Sequence, residues 1–292
     1  MQNMDHTHDL DGKVILVTGA TGGVGEATTR ALAGMGATLV MVGRNPEKCQ
    51  QVADEIKAKT GNPGVSYLVG DLSAQADVRR MAGEFKQQFS RLDVLVNNAG
   101  AFFLARRESA DGIEMTFALN HLAYFLLTEL LLEVLVASAP ARIVSVSSAA
   151  HRGAQLNFED LENKKGYRGW RAYGQSKLAN LLFTNELARR LDGKGVTANA
   201  LHPGFVASNF GKNNLGIFKP VMSLVQLRAI RPEAGAQTSI YLASSPQVQG
   251  VTGQYFDKKQ AVEPLQAAHD REAARRLWEI SARMTGLPAH LL

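Results

Sequence analysis

Short runs of β-branched and aliphatic residues alternate along most of the chain with longer stretches whose apolar positions recur at helical spacing. The runs Lys13–Val17, Thr38–Val42, Val65–Val69 and Val94–Val96 are nearly unbroken apolar sequence, as expected of parallel strands covered on both faces. Helical patterns fill the gaps over Val24–Met35, Pro46–Thr60 and Ser73–Phe89. The rhythm continues with a long helix from Phe117 to Ala137, a strand at Arg142–Val146, a helix from Trp170 to Leu191 and a strand at Val196–Leu201. A helix at Pro232–Leu242, a short strand near Gly253–Phe256 and an amphipathic helical tail after Glu263 complete the pattern. Repeated βαβ units of this kind predict an α/β fold: a doubly wound parallel sheet of about seven strands with helices on both faces. The polar stretch 1–10 reads as a disordered lead, and 11–292 as a single catalytic domain. Between Pro203 and Arg231 glycines, asparagines and Pro220 interrupt apolar residues, the pattern of a plain surface excursion or of a substrate flap over about 204–231, and the apolar content favours the flap.

Composition narrows the function classes. The chain has 292 residues, 45% hydrophobic and 20% charged, with a formal net charge of +5. Its basic residues fall in separated pairs such as Arg79-Arg80, Arg106-Arg107 and Lys258-Lys259, without the single basic face that nucleic-acid binding needs. The most apolar stretch, Leu122–Val136, is interrupted by Glu129 and Glu133 and is shorter than the roughly 20 residues of a membrane span. It is expected to be a buried or interface helix. The single cysteine, Cys49, cannot form an internal disulfide and reads as a structural thiol in a reducing, cytoplasmic setting. No metal site is expected.

Between the first strand and the first helix the chain reads Gly19-Ala20-Thr21-Gly22-Gly23-Val24-Gly25. Glycines there let backbone N–H groups approach a pyrophosphate, and the helix N-terminus turns its positive dipole end to the same anion. The strand-turn-helix context makes this loop a dinucleotide cradle. About 20 residues on, where an acidic side chain would hold the ribose hydroxyls of NAD, stands Arg44. A guanidinium pairs with a 2′-phosphate through two charge-assisted hydrogen bonds, so NADP(H) is the expected cofactor. Asp71-Leu72 and Asn97-Asn98-Ala99-Gly100 follow the third and fourth strands on the ligand-binding edge. Asp71 is placed to accept from an adenine amino group with Leu72 packing beside it, although Asp and Asn also serve as turn residues.

Tyr173 and Lys177, at i and i+4, share one face of a predicted helix. A phenol is protonated near neutrality, and an ammonium beside it, together with an oxidised nicotinamide, would favour the phenolate. Ser148, at the end of the fifth predicted strand, can donate to a substrate carbonyl. Ser147 alternates to the other side of the strand.

With these residues in this order, the chain resembles the short-chain dehydrogenase/reductase family over nearly its whole length, a single-domain Rossmann fold. The resemblance rests on the glycine loop, Asn97-Asn98-Ala99-Gly100, Asn120, Ser147-Ser148, Tyr173-x-x-x-Lys177 and Pro203-Gly204. It implies Tyr173 as acid/base, Lys177 on the nicotinamide ribose and lowering the Tyr173 pKa, and Ser148 orienting the carbonyl. Asn120 would bend its helix and hold a water of a proton relay. The cofactor set it implies is Gly19, Thr21, Gly22, Gly23, Val24, Gly25, Arg44, Asp71, Leu72, Asn98, Ala99, Gly100, Tyr173, Lys177, Pro203, Gly204 and Val206.

Val146-Ser147-Ser148-Ala149-Ala150-His151, Ser176-Lys177-Leu178-Ala179-Asn180 and Ala234-Gly235-Ala236-Gln237-Thr238 are similar to the retinol dehydrogenase-like branch. The tail Arg276-Leu277-Trp278-Glu279 fits as well. Membrane-attached members of that branch carry an apolar N-terminal anchor, whereas 1–10 here are polar, so an unanchored chain is expected. These readings predict an NADP(H)-dependent oxidoreductase that interconverts an alcohol and a carbonyl on a small lipophilic or aromatic substrate. The alternative is an NADP(H)-binding sensor with little catalysis. A homodimer or homotetramer through the two long helices is the expected assembly.

Overall fold

The computed structural model describes residues 10–206 and 230–288. β1 (Val14–Thr18) turns tightly into α1 (Gly23–Gly34), and the unit repeats through β2 (Thr38–Gly43), α2 (Pro46–Thr60), β3 (Val65–Val69), α3 (Gln75–Gln88) and β4 (Val94–Asn97). The chain continues with α4 (Met115–Ala137). Then follow β5 (Ala141–Val146), α5 (Gly169–Arg190), β6 (Val196–His202), α6 (Pro232–Ser244), β7 (Tyr255–Asp257), β8 (Gln260–Ala261) and α7 (Arg271–Met284). Local chemistry sets the boundaries. Asn45 caps α2 by accepting from Lys48 N at 2.7 Å, and Gly61 ends the helix at φ 70°.

The strands form one eight-stranded sheet in the order β3-β2-β1-β4-β5-β6-β7-β8. Every pairing from β3 to β7 is parallel, with Ile15 opposite both Leu39 and Val94. Only β8 departs from the seven-strand expectation. It folds back antiparallel on β7 through Lys258 and Lys259, both at positive φ. The order reverses between β1 and β4, where doubly wound sheets open a crevice at the carboxyl ends of their strands.

Alternation along β1 divides the core. Val14 and Leu16 pack with Phe85, Tyr124, Phe125, Phe183 and Trp278 from α3, α4, α5 and α7. Ile15 and Val17 pack on the other face with Leu32, Val52, Ile56 and Leu242 from α1, α2 and α6. Each fully buried Phe contributes on the order of 2–3 kcal/mol to this core. Asp93 pins β1 to β4 by accepting from Val14 N at 2.9 Å, Lys13 at 3.0 Å and Arg91 at 2.6 and 2.8 Å. Burial pulls its carboxyl up, but Arg91, the Val14 amide and Lys13 together hold it below the usual range. Cys49 is buried and free, and burial pushes its thiol up, as suits a structural residue.

α4 is longer than the sequence pattern indicated. At 23 residues it is long and apolar enough to cross a membrane, yet most of it is buried inside the fold. The two helices expected to carry a subunit interface have α7 of the same chain against them. Trp278 stacks on Phe183 at 5.8 Å and meets Phe125 edge-on at 5.0 Å. Of the expected flap, only the two ends are described: Ile230 N donates to Phe205 O at 2.8 Å, and Val206 bridges Ile230. The stretch 207–229 lies outside the described residues, as does 1–9 of the polar lead.

Candidate active site

The turn after β1 is fixed before any ligand is considered. Thr18 Oγ1 accepts from Asn98 N at 2.8 Å and Ala99 N at 3.1 Å, and donates to Val96 O. The Asn98 amide donates to Thr18 O at 2.8 Å and Gly19 O at 3.3 Å, so it fastens the end of β4 to the loop. Gly19 and Gly23 hold φ of 64° and 57°, where a side chain would be strained. At Gly25 the constraint is contact: a Cβ would lie 2.2 Å from Gly19 O. That closeness seats the first turn of α1 directly on the loop, and both line the crevice.

Arg44 stands exposed at the end of β2, at the rim of the same crevice. Asp71 also reaches it, but its Oδ1 accepts from Ser73 N at 2.9 Å and Ser73 Oγ at 2.7 Å. The turn reading of Asp71 therefore describes one carboxylate oxygen.

On the other side of the switch point, the end of β5 meets the first turns of α5. Ser147 Oγ donates to Lys177 O at 2.8 Å, tying strand to helix, while Ser148 on the opposite side is hydrogen-bonded to the Tyr173 hydroxyl. Ser148 Oγ also accepts from Ala150 N at 3.2 Å. Lys177 is buried. Its Nζ donates to Val146 O at 3.0 Å and lies 5.7 Å from the Tyr173 ring centroid and 5.6 Å from that of Tyr124.

Burial pushes the Tyr173 phenol up to about 12, with the Ser148 hydrogen bond pulling against it. It also pushes the Lys177 ammonium down to about 7. The expected lowering of Tyr173 by Lys177 is thus corrected for the protein alone. Both groups lose more hydration than they recover from each other, so burial disfavours the charged form of each.

Asn120 lies behind this group. The α4 helix widens into a π-turn over Ala118–Leu122, where Ala123 N donates to Ala118 O. Such turns often mark functional positions. The buried Asn120 side chain accepts from Ala101 N at 2.9 Å and donates to Ala101 O and Ser176 Oγ, both at 3.0 Å. A Cβ on Gly100 would lie 3.3 Å from Asn120 Oδ1 and 3.4 Å from Lys177 Nζ, so a side chain there would press on both groups.

One cavity of about 750 Å³ joins these parts. Gly19, Thr21, Gly22, Gly23, Val24, Gly25, Arg44, Asp71, Leu72, Asn98, Ala99, Gly100, Ser148, Tyr173, Lys177, Pro203, Gly204 and Val206 all line it. Asn120 supports the wall from behind. The length of this cleft, its glycine cradle at one end and its Tyr-Lys pair at the other fit a nicotinamide dinucleotide. Among the described residues no group of three or more His, Cys, Asp or Glu could hold a metal ion.

Sequence reading missed most of the apolar lining of the cavity, Phe103, Met115, Leu119 and Trp170, while Phe205, which also lines it, fell within the expected flap. Trp170 sits one helical turn before Tyr173 and packs on Phe102 at 4.5 Å, with Phe102 edge-on to Tyr173 at 6.0 Å. Its i, i+3 spacing to Tyr173 was an available signal. Arg107 and His202 also line the cavity and carried no motif.

A doubly wound sheet with a glycine cradle and a Ser148-Tyr173-Lys177 group on one crevice defines a nucleotide-dependent oxidoreductase. The short chain dehydrogenase family model matches residues 13–215, and the chain belongs to that family. It is 45% identical to human retinol dehydrogenase 14, covering 95% of this chain and 88% of the relative. To human retinol dehydrogenase 13 it is 42% identical, over 96% and 86%. Among solved structures it is similar to an uncharacterised protein of Mycobacterium paratuberculosis, 33% identical over 95% and 94% of the chains with a TM-score of 0.77. It is also similar to the Pseudomonas aeruginosa RhlG/NADP active-site complex, 28% identical over 86% and 96% with a TM-score of 0.70. The protein is thus a retinol dehydrogenase-like oxidoreductase acting on CH-OH groups.

Proposed function

We propose that the protein uses NADP(H) to interconvert an alcohol and a carbonyl on a small lipophilic or aromatic substrate. The carrying observation is the single cavity that unites the glycine loop and Arg44 with Ser148, Tyr173 and Lys177. Arg44 is the group that would take a 2′-phosphate, and the amides of the Gly19–Gly25 loop would take the pyrophosphate. Lys177 would hold the nicotinamide ribose. Bound there, the cofactor supplies or accepts the hydride.

The rest of the chemistry belongs to the chain. Ser148 donates to the substrate oxygen and fixes its direction. Tyr173, held protonated by burial, gives its phenolic proton to that oxygen in reduction and recovers it in oxidation. The Lys177 ammonium, when protonated, favours the phenolate left behind and so lowers the barrier to that transfer. Phe103, Met115, Leu119, Trp170 and Phe205 offer apolar surface to the substrate and favour an apolar body.

No observation favours the sensor reading, since the site is furnished for turnover. A cytoplasmic setting suits the free, buried Cys49.

The test is Tyr173→Phe, followed by NADPH fluorescence titration and by turnover on a panel of aliphatic and aromatic aldehydes and ketones. The variant is expected to bind NADPH as the parent does and to lose turnover by at least about a thousand-fold. Retained turnover would remove Tyr173 from its assigned role. NADPH binding by the parent without turnover on any substrate would instead favour the sensor.

A further inference from the structure

The π-turn of α4 carries two buried polar residues in succession, and the family resemblance gives a role only to Asn120. Its neighbour His121, also fully buried, reaches the C-terminal helix: Nε2 lies 2.9 Å from Ser281 Oγ on α7. Ser281 Oγ also lies 2.8 Å from Leu277 O; with its proton directed there, Oγ accepts from His121, which assigns the ring the Nε2–H tautomer. Burial holds His121 neutral, its pKa down at about 4. Asn180 of α5 lies beside the ring, although neither its amide nor His121 Nδ1 has a well-formed hydrogen bond.

The helix at the far end of this contact is itself fixed. Gln75 of α3 donates to Met284 O at 2.9 Å, the Arg190 guanidinium lies 4.2 Å over the Trp278 ring, and Arg276 pairs with Glu159 at 3.0 Å. On the near side, Asn120 holds Ala101 and Ser176 Oγ, and Ser176 Oγ donates to Tyr173 O at 2.8 Å. A π-turn is a less favourable backbone than a regular helix and persists where its surroundings hold it.

We propose that His121 is a positioning residue: its hydrogen bond to Ser281 makes α7 the reference that holds the π-turn open and so places Asn120, Ser176 and the Tyr173 backbone. The C-terminal helix thereby acts on catalysis without lining the cavity. This rests on the role given above to Asn120 and Tyr173, and the experiment separates the two.

Ser281→Ala removes the acceptor with a small, helix-compatible side chain. It is compared with Asn120→Ala and with Ile56→Val, a core change on α2 chosen for a similar loss of Tm. Steady-state kinetics are measured well below every Tm. Ser281→Ala is expected to lower kcat about ten-fold while KM for NADPH stays within about two-fold, as loss of sub-ångström placement would. Ile56→Val is expected to keep kcat, and Asn120→Ala to lose at least as much as Ser281→Ala.

An unchanged kcat in Ser281→Ala overturns the proposal and leaves the site reading standing. An equal kcat loss in Ile56→Val also overturns it, because the effect is then general destabilisation. Full turnover in Asn120→Ala overturns the role of Asn120 and the route through it. Histidine nitrogen NMR on the intact protein at neutral pH supplies an independent check, and an Nδ1–H or doubly protonated His121 overturns the assigned hydrogen bond.

Discussion

Replacing Lys177 by Met should make the cofactor-free protein more stable at low pH while abolishing turnover. Lys177 has an ordinary pKa of 10.5, and burial brings it to about 7 in the fold. Between those two values the unfolded chain binds more protons than the folded one, so the lysine's contribution to stability rises with pH across that window and is most unfavourable below it. At roughly 1.4 kcal/mol per pH unit, the penalty is at most roughly 5 kcal/mol below pH 7 and falls by roughly 3 kcal/mol by pH 9. Methionine carries no such penalty and fills a similar volume, at the cost of the hydrogen bond to Val146 O, about 1 kcal/mol. Thermal melts of both proteins at pH 6 and pH 9 isolate Lys177, because every other titrating group is shared. The Tm advantage of Lys177→Met at pH 6 should shrink by about 4–5 °C at pH 9. A difference that does not vary with pH would refute the claim that a charged lysine is buried against the fold's preference.

Three further outcomes follow from the same geometry. Gly25→Ala sets a Cβ 2.2 Å from the Gly19 carbonyl and should weaken NADPH binding by at least about a hundred-fold in fluorescence titration. By contrast Gly34→Ala, whose Cβ meets only Thr60 Cγ2 at 3.9 Å, should leave binding unchanged. Arg44→Asp should invert the NADP-over-NAD preference in kcat/KM by about ten-fold or more, and an unaltered ratio would take Arg44 out of cofactor selection. Trp170→Ala, which removes a 63% exposed ring at the apolar end of the cavity, should raise KM about ten-fold for a large aromatic aldehyde and little for acetaldehyde. Equal effects on both would assign the ring to folding.

The sheet was legible because its strands are covered on both faces and so are written as unbroken apolar runs. β8 was not, since its two exposed residues carry no such run. Its turn is built on Lys258 and Lys259 at positive φ, where asparagine and glycine are the usual signal. The crevice was legible for the opposite reason: glycines and a Tyr-Lys pair at fixed spacing constrain chemistry locally. Met115 and Leu119 join the cavity only because the long α4 helix crosses the switch point, and nothing in their own neighbourhood records that.

The directions of the Tyr173 and Lys177 shifts show where spacing stops being informative. At i and i+4 the pair reads as a cation lowering a phenol, and that term is real but conditional on the lysine being charged. Packing α5 against β5 under Tyr124 and Phe102 removes the water that would keep it charged, and the depth of that burial depends on residues distant in sequence. A bound ligand bearing charge at this end of the cavity would alter the balance for both groups together, because the same low-dielectric surroundings disfavour the charged form of each. In the role proposed for Tyr173, burial in the free protein keeps the phenol protonated, the form from which reduction of a carbonyl would begin.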